Sequence, residues 1–98
     1  MTGLEKIARL KHLLQGMERD LGIDDLSSVQ RNIVYAATLL SEASRTVATE
    51  DIRQHELLDG VSRSAFFRAL RELVDTGYLK HTDGRQRSSY VLSKKLER

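Results

Sequence analysis

The hydrophobic period of this 98-residue chain changes once, at Gly77. Upstream of it, apolar residues recur at three- and four-residue steps, the spacing of helix faces. Downstream, the stretch "YLKHTDGRQRSSYVL" alternates, and its Asp83-Gly84 pair favours the positive backbone φ of a tight hairpin turn. A chain of this length has room for one compact domain. The pattern therefore predicts an α+β fold that is mostly α, with four helices followed by one hairpin whose strands run about 78–82 and 88–92.

The helices can be placed from their caps and faces. A capping box, Thr2 with Glu5, opens a first helix whose residues Ile7, Leu10, Leu14, Met17 and Leu21 form a two-heptad a/d seam, widened by Leu4 and Leu13 and stopped by Gly22. Such a stripe must be buried on its own domain or on a second chain, and its resemblance to a zipper favours self-association. A second box, Ser27 with Gln30, opens a helix from Ser28 to about Ser44 with a core face of Val29, Ile33, Ala37 and Leu40. A short extended piece around Val47 leads to a cap at Thr49, a two-turn helix with Glu50 and Asp51 in its first turn, and a stop at Asp59-Gly60. Ser62 then caps a helix from Arg63 to Thr76, which Gly77 ends.

Composition excludes several kinds of chemistry. The chain has no cysteine, so disulfides, thiolate metal sites and thiol nucleophiles are absent. His12, His55 and His81 are widely separated and form no His-x-x-x-His pair, and no glycine-rich phosphate loop or nucleophile elbow occurs. The carboxylate pairs Asp24-Asp25 and Glu50-Asp51 stand at helix starts, where capping and the helix dipole already account for them. The expectation is a protein that is not an enzyme and holds no metal or cofactor. Charges at Glu5, Lys6, Arg9 and Lys11 interrupt the N-terminal segment, so neither a signal peptide nor a membrane span is expected, and a cytoplasmic location follows.

Charge is unevenly placed. Residues 62–98 carry nine Lys and Arg against four Asp and Glu, a net +5, whereas residues 1–61 carry seven against ten, a net −3. A polyanionic partner for the C-terminal part would account for this asymmetry. At 100° per residue, Phe66, Ala69, Leu70 and Leu73 fall on one side of the helix at 63–76, suited to a core. Ser64, Phe67, Arg68 and Arg71 fall opposite, on a face expected to be exposed. Arg63 and Ser64 stand in the first turn, where backbone N–H groups and the dipole suit an anion such as phosphate.

The order of these elements, and the stretch "VSRSAFFRALRELVDTGYLKHTDGRQRSSYVL", resembles the winged helix-turn-helix family of DNA-binding domains, particularly MarR-like transcription regulators, over about residues 27–92. The resemblance rests on the serine cap Ser62, on Arg68 near the middle of the helix, on the exit "LVDTGYL", and on a basic wing with Arg85 and Arg87. Phe67 departs from it, since the family more often has a small polar residue there. Only one helix is left over where MarR-like proteins carry longer flanking helices. The resemblance implies a three-helix core plus a β-hairpin wing, with an extra N-terminal helix over 1–22 for dimerisation and a charged tail over 93–98.

Function follows as an expectation: sequence-specific binding of double-stranded DNA by a small homodimeric transcription regulator. The helix at 63–76 would enter the major groove, where a guanidinium of Arg68 or Arg71 can contact guanine and the Phe67 ring can cover a thymine methyl. Ser62 and Ser64, at the start of the helix, complete the expected DNA-binding set. Arg63, Lys80, Arg85 and Arg87 would meet phosphates or the minor groove, with the wing at 82–88 on the flanking backbone. The alternative is a winged helix used for protein contacts without DNA binding, in which Phe67 anchors the partner.

Overall fold

A computed structural model describes residues 3–43, 46–81 and 89–92. These form a mostly helical α+β arrangement. In chain order the elements are α1 (Gly3–Leu21), α2 (Ser28–Ser41), β1 (Val47–Ala48), α3 (Thr49–Gln54), a 3-10 turn (Glu56–Leu58), α4 (Arg63–Asp75), β2 (Leu79–His81) and β3 (Ser89–Leu92). The expected Thr2 cap, the expected wing tip with Arg85 and Arg87, and the tail at 93–98 lie outside the described residues.

Local chemistry sets most of the boundaries. The Ser27 hydroxyl accepts from the Gln30 backbone N–H at 3.1 Å, and the Gln30 side chain accepts from the Ser27 N–H at 2.8 Å, so the capping box at the start of α2 is complete. The Gln30 amide also donates to Glu72 of α4 at 3.1 Å, which ties the two helix surfaces together. Ser62 caps α4 by accepting from the Ala65 N–H at 3.2 Å. At the far end of α4, Gly77 has φ +87°. Its N–H donates to the Val74 carbonyl at 3.1 Å while the Tyr78 N–H donates to the Leu73 carbonyl at 2.9 Å. Those paired bonds satisfy carbonyls that the helix itself leaves open, and they need a left-handed residue, which glycine supplies without a Cβ penalty.

Three predicted boundaries differ. The helix expected to run on to Asp59-Gly60 ends at Gln54, where His55 turns extended, and the 3-10 turn Glu56–Leu58 carries the chain to that stop. The regular part of α2 ends at Ser41, with Glu42 as its cap, short of the expected Ser44. Thr49 is the first residue of α3 and not its cap: Ala48 takes the cap position with no side-chain bond, and Thr49 is buried. The reason lies in the sheet, because Val47 and Ala48 are held extended by pairing with β3 up to the residue where the helix begins.

The sheet is antiparallel, in the order β1-β3-β2, so the last strand in sequence is central. Tyr90 faces Val47 across one edge and His81 across the other. Residues alternate between faces of a strand, so Val47, Leu79 and Tyr90 share the buried face while Lys80 projects from the other. Against that face packs a core of Ile33, Val34, Ala36 and Ala37 from α2, Ile52 from α3, Leu58, and Phe66, Ala69, Leu70 and Leu73 from α4. All four core positions expected on α4 are buried. Tyr78 and Tyr90 are buried too, as the packing of a hairpin on a helix requires.

Helix α1 departs from this packing. From Gly3 to Met17 no residue is buried, and the long axis of the molecule reaches 52 Å against 28 and 25 Å for the other two. Only its C-terminal end is held. Gly22 (φ +75°) closes α1 with the same paired bonds seen at α4, the Ile23 N–H donating to the Glu18 carbonyl, and the Ile23 side chain is 1% exposed. Among the described residues, no helix is long and apolar enough to cross a membrane.

Candidate nucleic-acid interface

The outer face of α4 is built by the same periodicity that buries its inner face. With Phe66, Ala69, Leu70 and Leu73 anchored in the core, Ser64, Arg68 and Arg71 are directed to solvent, and Arg63 is exposed in the first turn beside the Ser62 cap. Ser62 and Ser64 hydroxyls lie 3.5 Å apart there. The ion pairs among the described residues are Glu18–Arg31 and Glu50–Arg53, so Arg63, Arg68, Arg71 and Lys80 all present their charge without a described acidic partner.

Phe67 differs from the exposed position that the helical wheel assigns to it. It is half-buried against the core, its ring meeting Phe66 edge-on at 5.0 Å and 87°. The Arg63 guanidinium carbon lies 5.0 Å from the centre of the Phe67 ring, within reach of a cation–π attraction. At 100° per residue Phe67 stands about 60° from Leu70 and about 20° from Val74, on the margin of the buried face, where it packs against the core as Val74 does. Beside it, a half-open groove of about 350 Å³ runs between α4 and the sheet, lined by Phe67, Arg71, Val74, Asp75, His81 and Tyr90. The His81 and Tyr90 rings pack at 4.8 Å in its wall.

The structure thus leaves Ser62, Arg63, Ser64, Arg68 and Arg71 exposed on α4 and its cap, with Phe67 half-buried under the Arg63 guanidinium. Lys80 stands apart, on the sheet face turned away from α4. Arg85 and Arg87 lie outside the described residues. Among the described residues, no group of three or more His, Cys, Asp or Glu is placed to hold a metal. His55 accepts a hydrogen bond from the Leu57 N–H at 3.1 Å and so caps the 3-10 turn.

The expected dimerisation stripe is displayed openly. Ile7, Leu10, Leu14, Met17 and Leu21, together with Leu4 and Leu13, are 36–72% exposed. A polar cluster beside it was not legible in the periodicity. Glu18, 8% exposed, accepts a short hydrogen bond from the Tyr35 hydroxyl and pairs with Arg31 at 3.6 Å. Arg31 also donates to the Asp24 and Leu26 carbonyls in the link between α1 and α2. Burial first, then the hydrogen bond and charge of Glu18, push the Tyr35 phenol well above its ordinary value, opposed by Arg31. Glu18 and Tyr35 are 17 residues apart, and only the folded chain brings them together.

No protein-family model, curated protein or solved structure matches the chain.

Proposed function

We propose that the chain is a winged helix-turn-helix protein that binds double-stranded DNA, working as a pair joined through α1 to regulate transcription in the manner of MarR-like proteins. The observation that carries this reading is the outer face of α4. Three arginines stand on one capped helix, exposed and without described acidic partners, at a spacing that suits a groove lined by phosphates and base edges. The succession of α2, β1, α3, α4, β2 and β3, with strand order β1-β3-β2, supports it as the arrangement of a winged helix.

In this reading Arg68 and Arg71 meet base edges, while Arg63 and the first-turn N–H groups meet phosphate. Phe67 steadies Arg63 from below and offers its remaining exposed edge to a thymine methyl. Lys80, on the other sheet face, meets the flanking backbone together with Arg85 and Arg87. Half-burial of Phe67 counts against the protein-adaptor reading, which needs it as a protruding anchor.

The test is retention on random duplex across a salt series. A pair of copies making about 8 phosphate contacts should lose affinity with a slope of log K against log salt near −7. A slope near zero would overturn the reading.

A further inference from the structure

We infer that two copies of the chain pair head-to-tail through α1, in a register set by Lys6 of each copy against Asp20 of the other. The inference rests on the reading that α1 joins two copies, and adds the orientation and register of that joint. Seven large apolar side chains, from Leu4 to Leu21, lie exposed along 19 residues of helix. Soluble monomers rarely leave contiguous apolar patches beyond a few hundred Å² uncovered, and a run of seven such side chains on one helix calls for a partner. The direction of this helix is also held. The Gly22 turn, the buried Ile23, and the bonds of Glu18 and Arg31 fix its C-terminal end to α2. A fixed arm with an uncovered apolar stripe suits a partner of defined geometry.

Charge selects the partner as a second copy. One flank of the stripe is already occupied by its own domain, since Glu18 is bonded to Tyr35 and Arg31 and cannot serve a second chain. The other flank carries Lys6, Leu13 and Asp20 at seven-residue spacing, one above the next along the helix, and all three are exposed. Cation, apolar residue and anion in that order complement themselves only when one copy is reversed. A two-fold axis at the level of residue 12 then sets Leu10 against Leu14 and Ile7 against Met17, the a-to-d contacts of an antiparallel pair, and leaves Lys6 and the other copy's Asp20, like the two Leu13 side chains, offset by only ~3 Å along the helix. Parallel pairing would instead set Lys6 near Lys11 of the second copy and leave Asp20 without a cation. The reversed pair also places the two domains at opposite ends of a helix ~28 Å long, comparable with the ~34 Å between successive major grooves.

The experiment uses the full chain without DNA. Because it contains no cysteine, single substitutions report on proximity. Leu13→Cys should form an oxidised dimer readily, whereas Leu10→Cys should not, because Leu10 faces Leu14. By sedimentation equilibrium at low salt, Lys6→Glu should weaken the dimer roughly three- to tenfold, and Lys6→Glu with Asp20→Lys should restore it. If Lys6→Glu strengthens the dimer and Leu10→Cys cross-links best, the copies are parallel and this inference fails while pairing through α1 stands. A monomer at all concentrations, or a dimer indifferent to both charge changes and both cysteines, overturns the inference and pairing through α1 together. Duplex retention is measured separately, so that a failure of DNA binding is told apart from a failure of the pairing.

Discussion

The guanidinium of Arg63 rests over the ring of Phe67, 5.0 Å from its centre, and Phe67 in turn meets Phe66 edge-on. A cation at the mouth of α4 is thus oriented by a ring that the core holds in place. Phe67→Leu keeps most of the packed volume but removes the π face. Its cost in stability should stay under about 1.5 kcal/mol. Affinity for random duplex should fall about two- to fivefold, matching a cation–π term of about 0.5–1 kcal/mol. Fluorescence anisotropy with a labelled duplex measures this, and unchanged affinity would show that the ring does not prepare Arg63.

Arg68 and Lys80 should separate by kind of effect as well as size. Arg68→Ala is expected to cost about 1–3 kcal/mol of discrimination at one base position, leaving random-sequence binding weakened only slightly. Lys80→Ala should weaken every duplex alike and lower the magnitude of the salt slope by about 1 for each phosphate it no longer neutralises. Selection of bound sequences from a random pool, followed by salt titration of each variant, tests both. The opposite pattern would exchange the two roles.

The two ends of α4 make separate contributions to stability. Ser62→Ala removes the acceptor for the Ala65 N–H and should cost about 1 kcal/mol. Gly77→Ala meets no steric obstacle, since no atom lies within 4 Å of the position its Cβ would take, but φ +87° penalises any Cβ by about 1–2 kcal/mol. With the whole helix between them, the two changes should add in urea denaturation.

Tyr35 should make the attachment of α1 sensitive to alkali. Its folded-state ionisation is displaced upward, so the stabilisation is fully present below the unfolded phenol's value near pH 10 and is lost as pH rises beyond it. Ionised phenolate and the Glu18 carboxylate then repel, where a neutral hydroxyl had donated. Stability of the intact chain should decline above about pH 10 more steeply than that of Tyr35→Phe. Denaturant midpoints measured across that range check it, and parallel curves would remove Tyr35 from the account.

Caps, stops and periods were legible in the residues because they act over three or four positions. Ser27 with Gln30, Ser62, Gly22 and Gly77 all do in the structure what their chemistry requires locally. The inner face of α4 was legible for the same reason. What escaped was set at longer range. Pairing of β1 with β3 decided that Thr49 begins a helix and does not cap it. Phe67 lies halfway into the core because it stands on the margin of the face that Leu70 and Val74 occupy, and how far that face is covered depends on what packs against it.

From the residues alone came a mostly helical chain closing in a hairpin, with an apolar stripe at one end and arginines on the outer side of α4, since hydrogen bonds between near neighbours and the repeat of apolar positions encode all of these. Only the tertiary structure decided that β3 lies between β1 and β2, that Lys80 is on a different surface from Arg68, and that Glu18, Tyr35 and Arg31 hold α1 outward with its stripe uncovered. Those outcomes depend on which distant side chains share one buried space, and burial is a property of the whole chain.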